Sequence, residues 1–337
     1  METVRCRAAC AALILLLIGT PVPGLAQASA QEVSAPKPGD RTRVAIPGTG
    51  LGFEMGYVPG RTFEMGSPED EEGRRANEGP RSPVTVSPFW MGIHEVRYDE
   101  YAAFRFVDRD ADSTAAVGRT YRAEAAPRPS PPYEDPAHGL GNEGHPAAGM
   151  TQWGALQYAR WLWEKTGQFF RLPTEAEWEF ACRAGGDGAP PSAVQLDRAA
   201  WFIENSTERF HPVASKRANA WGIHDLLGNV AEWTLDQYTR DYFERIKEEG
   251  TTDPWIMPES LHPRTVRGGA FDDEPNALRC TARLESSLNW KRRDPQIPKS
   301  YWWNTDSPFL GFRLVRPVAQ PSREEAEEFF ALVLGES

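Results

Sequence analysis

Glycine and proline, 29 residues of each, together with 12 tryptophans, set the character of this 337-residue chain. Proline locks φ and removes a hydrogen-bond donor, and glycine weakens helices and strands alike, so long regular elements are interrupted at this density. Tryptophan buries a large apolar surface wherever the chain places it. A sequence without long repeating faces can therefore still be stitched together by aromatic side chains. The expectation is an α+β domain with few long elements and much irregular chain. A hydrophobic share of 40% is ordinary for a globular protein, and the length suffices for a sizeable core in one large domain or two smaller ones. No repeat period of the solenoid or propeller kind is present.

The two ends and the charge narrow the classes of function. Arg5 and Arg7 precede an apolar run from Ala11 to Ile18, and small-x-small patterns follow at Ala26–Ala28 and Ala28–Ala30. That reads as a secretory signal over residues 1–28, giving a periplasmic, extracellular or cell-surface protein. The run is too short for a spanning helix of ~20 residues. Cys10 lies before it rather than after, which counts against a lipid anchor. No later segment is long and apolar enough to span a bilayer. With 48 acidic against 37 basic residues the net charge is −11, which argues against nucleic acid and against an anionic membrane surface as partners. Once the signal is removed, only Cys182 and Cys280 remain. Either they pair, closing a loop of about 100 residues worth up to ~4.7 kcal/mol, or they are two separate buried thiols. Neither a CxxC nor a Cys/His cluster of zinc spacing occurs.

Along the chain, residues 29–50 carry Pro, Gly and charge without an apolar period and read as a linker. Phe63 to Ser67 resembles a short strand ending in a turn, and Pro83 to Ile93 one or two strands. Tyr101, Phe104 and Val107 stand at helical spacing, whereas residues 109–149 form a long loop. Thr151 caps a helix running to about Lys165, with Ala155, Leu156, Ala159, Leu162 and Trp163 on one face. Thr174 and Glu177 form a capping box for a second helix, which Gly185-Gly186 should stop. Beyond Ser206 the chain reads as mostly irregular, apart from a short amphipathic helix after Ser322 within the tail 318–337.

In order, the chain carries Phe63-Glu64-Met65-Gly66, Glu95-Val96, His145-Pro146, and RLPTEAEWEFACRAG at 171–185. NAWGIHDLLGNVAEWT at 219–234, Arg267-Gly268-Gly269 and GFRLVRP at 311–317 follow. This succession resembles the formylglycine-generating enzymes, or sulfatase-modifying factor domains, over residues 51–317. The resemblance implies one α+β domain with a loop-rich C-type-lectin-like core. It also implies calcium, as a structural ion, at the GNxxEW block. There the carbonyls of Gly228 and Val230, with Asn229 and Glu232, would supply hard oxygens. The alternative at that block is that Asn229 holds the turn and Glu232 pairs with an arginine.

The family's oxidases use two neighbouring thiols, because Cu(I) prefers soft thiolate ligands. After Arg-Gly-Gly the family places a serine, where this chain has Ala270, and the first catalytic cysteine falls at Asp273. The second should precede Arg279, but residues 274–278 are Glu, Pro, Asn, Ala and Leu, and Cys280 matches a structural cysteine instead. Copper held by the family's cysteine pair is not expected. The Asp272-Asp273-Glu274 run reads as a solvated turn in preference to a cation site or general base. None of the six histidines makes the HxxxHxE pattern of the related iron-dependent sulfoxide synthases. The expected function is thus a binding or assembly module for a protein, peptide or glycan ligand, with Trp290, Trp302 and Trp303 as candidate contacts, core packing being the commoner use of each. The alternative is a divergent iron- or copper-dependent oxidoreductase. A formylglycine-generating oxidase ranks last.

Overall fold

A computed structural model describes residues 35–110 and 127–336. The signal segment 1–28 and part of the long loop lie outside the described residues. Strands β1 (Arg41–Ala45), β2 (Gly52–Val58), β3 (Arg61–Met65), β4 (Ser82–Val86) and β5 (Phe89–Gly92) come first. Helices α1 (Tyr98–Arg105), α2 (Gln152–Thr166), α3 (Glu175–Arg183) and α4 (Ala193–Ala199) follow. Then come β6 (Ala231–Gln237), α5 (Tyr242–Glu249), β7 (Arg264–Arg267), β8 (Arg283–Glu285), β9 (Leu310–Gly311), β10 (Val315–Pro317) and α6 (Arg323–Leu334).

One antiparallel sheet has the order β1-β2-β5-β10 and a second the order β8-β7-β6-β9, while β3 and β4 form a separate hairpin. In the second sheet β6 pairs antiparallel with β7 and parallel with β9, which leaves β8 as an edge. The larger core lies among α1, α2, α6 and both sheets, gathering Tyr101, Phe104, Trp161 and Trp233. A second core lies under α3 and the β3–β4 hairpin, around Trp178, Phe180 and Phe243.

The helices start where the sequence provides caps. Thr151 Oγ1 accepts from the Gly154 N–H at 3.0 Å, and α2 ends at Gly167, which takes a left-handed φ of 68°. The Thr174–Glu177 box forms in both directions, at 3.2 and 2.8 Å, and Ser322 with Glu325 does the same for α6. Two expectations need correction. Residues 41–45 are not linker but the edge strand β1, because Val44 and Ile46 reach the core while their neighbours stay at the surface. The region after Ser206 holds five strands and α5, whose Tyr242, Phe243 and Ile246 are buried. Every residue of β6 is buried, so the period-2 alternation that would reveal a strand is missing. Trp302 and Trp303 take the core role, 9% and 3% exposed, and Trp290 packs against the same cluster.

Candidate functional site

Two turns with left-handed glycines meet at the head of the second sheet. Gly268 has φ of +99°, and a Cβ there would sit 2.9 Å from the Leu226 carbonyl oxygen and 3.2 Å from the Trp178 ring. Gly228 has φ of +75°, and its Cβ would fall 2.2 Å from the Trp201 carbonyl oxygen. The Gly228 N–H donates to the Gly268 carbonyl at 3.1 Å, so each turn fixes the other. Glycine is required at both places by conformation and by close approach.

The acidic run closes on itself just past this junction. The buried Ala270 donates its N–H to Asp273 Oδ2 at 2.9 Å, and the Asp273 N–H returns to the Ala270 carbonyl at 3.1 Å. Burial pushes the Asp273 carboxyl above its usual range, against the pull of the Ala270 N–H and of Arg75. Asp272 and Glu274 face solvent, and Glu274 precedes a 3-10 turn over Pro275–Ala277. Among the described residues the three carboxylates do not gather into a group that could hold a metal. Beside them lies a cavity of about 60 Å³ lined by Arg75, Arg267, Gly268, Gly269, Asp273 and Leu284. A larger groove of about 400 Å³ shares Arg75, Arg283 and Leu284 with it and adds Asn77, Tyr238 and Arg240.

Two arginines lining the cavity are paired within the scaffold. Arg267 bonds Glu179 at 2.6 Å and the carbonyls of Cys280 and Ala282 at 3.1 and 2.8 Å. Arg283 grips the Glu175 carboxylate with Nε and Nη2 and reaches the Asn77 carbonyl. Arg267, Arg283 and their acidic partners are all buried. Cys182, at the end of α3, is joined to Cys280 with Cα atoms 5.6 Å apart, which ties the loop after Asp273 to that helix. No thiol stands at Ala270 or Asp273, and the cysteines among the described residues are spent in this bridge. The residues present do not fit a Cu(I) dithiolate centre.

At the GNxxEW block, the Asn229 amide donates to Glu95 Oε1 at 3.0 Å and accepts from the His211 N–H at 2.8 Å. Glu232 receives Arg313 Nη2 and Nε at 2.6 and 2.7 Å and Trp178 Nε1 at 2.8 Å. Both side-chain oxygen sets are thus partnered within the protein. Gly228 and Val230 form the adjoining turn, with Val230 buried. Close by, Glu95 and Asp225 are buried together, and desolvation pushes both carboxyls up, Glu95 the more strongly because Asp225 stands beside it. Among the described residues, no three His, Cys, Asp or Glu side chains converge in a way that could hold a metal.

His94, in the same buried cluster, is pushed down to about 4, chiefly by burial and then by Arg97, Arg313 and His224. Its folded value lies below the ordinary 6.5, so the stability it contributes is complete above pH 6.5 and is lost as pH falls through about 4. At 1.36 kcal/mol per unit, the loss is on the order of 3 kcal/mol. Unfolding free energies from urea denaturation at pH 7 and pH 4 should therefore differ by roughly 3 kcal/mol less in His94→Gln than in the unaltered protein. An identical acid loss in both would remove His94 from the account.

The groove residues Arg75, Asn77, Tyr238 and Arg240 were not legible in the sequence. Arg75 and Asn77 lie in a charged loop that shows no period, and only β6 brings Tyr238 and Arg240 beside it.

The family profile for the sulfatase-modifying factor enzyme 1-like domain matches residues 51–318. The chain is 31% identical over 234 residues to the serine/threonine-protein kinase Pkn1 of Chlamydia trachomatis, covering 68% of this chain but only 35% of the kinase. It is 28% identical over 221 residues to the mouse "Inactive C-alpha-formylglycine-generating enzyme 2", covering 55% of this chain and 69% of that protein. Among solved structures, PvdO from Pseudomonas aeruginosa superposes with a TM-score of 0.62 at 24% identity, covering 84% of this chain and all of that one. That likeness speaks to fold alone.

Proposed function

This chain belongs to the sulfatase-modifying factor enzyme 1-like family, and on that premise we propose that it is an exported, non-catalytic member serving as a binding or assembly module. The observation that carries the reading is the chemistry at the Arg-Gly-Gly turn: Ala270 and Asp273 stand where the family's reaction needs its reactive groups. A carboxylate can neither take up Cu(I) as a thiolate does nor exchange with a substrate cysteine. What remains is a rigid scaffold carrying a loop-walled groove, the usual setting for recognition. A mouse relative bears the name of an inactive enzyme, and a chlamydial kinase carries a similar stretch within a longer chain. Both fit the use of this domain without its oxidase chemistry. Export rests on the N-terminal sequence, and the ligand class is a protein, peptide or glycan.

The test is incubation of the mature chain with a cysteine-containing sulfatase peptide, Cu(I) and oxygen, read by mass spectrometry for aldehyde. No aldehyde is expected, and its formation would overturn the proposal. Metal content of the same preparation addresses the ions. Calcium at the turn of Gly228, Asn229, Val230 and Glu232 is proposed as a structural ion on the sequence pattern. Chelation should then lower the melting temperature. A melting temperature indifferent to calcium would leave Glu232 wholly to Arg313. Stoichiometric iron or copper would favour an oxidoreductase instead.

A further inference from the structure

The groove beside the Arg-Gly-Gly turn carries two arginines outside any ion pair and an exposed backbone edge. Arg75 and Arg240 both line it and both are exposed. Neither has an ion-pair partner among the described residues, where Arg267, Arg279, Arg283 and Arg313 are all paired with buried carboxylates. Acidic side chains outnumber basic ones by 48 to 37 in this chain, so the lack of a partner is not for want of carboxylates. Glu285 is the one acidic side chain lining the groove.

The groove also runs along β8, the edge of the second sheet. The Ser286 N–H donates inward to the Arg264 carbonyl at 2.9 Å, and Leu284 stands opposite Val266. Strand alternation therefore turns the main-chain groups of Arg283 and Glu285 outward. The Arg283 carbonyl accepts a long 3.5 Å bond from the Asn77 amide, which also bonds the Tyr238 hydroxyl at 2.9 Å across the groove. The outward N–H and C=O of Glu285 form an open pairing edge, of the kind to which an extended peptide adds as a further strand.

We propose that an acidic peptide segment binds in extended form along β8, its main chain pairing with Glu285 and its carboxylates meeting Arg75 and Arg240. This rests on the binding-module reading and names the ligand class of the same groove. Guanidinium–carboxylate contacts supply charge-assisted, directional hydrogen bonds, and the strand edge supplies main-chain bonds that ask for no particular side chain. The mode suits a peptide better than a glycan, which has no strand to add.

The probe is a fluorescein-labelled peptide of alternating glutamate and alanine, followed by anisotropy against the full mature chain. A lysine–alanine peptide and a sulfated heparin fragment serve as comparisons. Saturable binding of the glutamate peptide is expected, weakening as salt rises. Arg75→Glu/Arg240→Glu should weaken it at least tenfold, and Glu285→Gln should tighten it. Arg240 and Glu285 are at the surface while Arg75 also attracts the half-buried Asp273, so Arg240→Glu and Glu285→Gln should keep the parent's melting temperature, and Arg240→Glu alone should weaken binding in an intact fold. Failure of the glutamate peptide to bind, equal binding of the lysine peptide, or preferential Arg75- and Arg240-dependent binding of heparin would each overturn the proposal. The aldehyde assay separates the two levels: aldehyde formation sinks the non-catalytic reading, whereas no aldehyde and no glutamate-peptide binding sinks only this inference.

Discussion

Arg313→Met should cost about 3–5 kcal/mol of folding stability, the range for removing one partner of a buried ion pair. Arg313 has no exposed surface and spends its guanidinium on four acceptors. Two are the Glu232 oxygens on β6, one is the Gly92 carbonyl at 3.1 Å on β5, and one is the His224 carbonyl at 3.0 Å. This one side chain thereby fastens both sheets and the connecting loop. Without it, Glu232 is left in the interior beside Glu95 and Asp225, whose carboxyls burial already pushes up. Arg313→Lys should recover only part of the loss, because one ammonium cannot span both carboxylate oxygens and two carbonyls. Urea denaturation of Arg313→Met, Glu232→Gln and the double variant gives the coupling. The double variant should lose less than the sum of the single ones, and a loss below about 1 kcal/mol for Arg313→Met would contradict this account.

The second large effect is expected at the bridge. Cys182 and Cys280 are 98 positions apart, so their cross-link removes a long loop's worth of freedom from the unfolded chain. Cys182→Ala/Cys280→Ala should lower stability by about 2–5 kcal/mol. Folded under oxidising conditions and then treated with dithiothreitol, the parent should move toward the double variant, while the variant itself should not respond. A parent whose denaturation midpoint ignores the reductant would show that the pair carries no stability. The local consequence is separable from the global one. The bridge holds the loop that follows Asp273 onto α3, and Arg267 bonds the Cys280 carbonyl directly. Limited proteolysis of the double variant should therefore cut first near residues 272–278.

Legibility in the sequence followed the range of the forces involved. Helix starts at Thr151, Thr174 and Ser322 depend on residues three positions apart, and each cap forms where those residues stand. The ordered blocks from Phe63 to Pro317 identified the family, because each is a short run of particular residues readable without the fold. β1 was missed because an edge strand buries only a few of its residues, and β6 because a strand buried throughout shows no alternation. The groove was missed for a different reason. Arg75 and Arg240 are 165 positions apart, and nothing local sets them apart from any other exposed arginine.

The sequence by itself determined the family, the caps and the absence of thiols from Arg267 to Arg279, since those depend on residue identity at short spacing. Only the tertiary structure decided which partners these residues took. It closed the acidic run through Asp273 and the Ala270 N–H, gave Glu232 to Arg313, joined Cys182 to Cys280, and set Arg75 and Arg240 on one groove. Each of these pairings but the first joins residues far apart in the chain. Coulomb attraction and burial act on distance in space, which residue spacing along the chain does not encode.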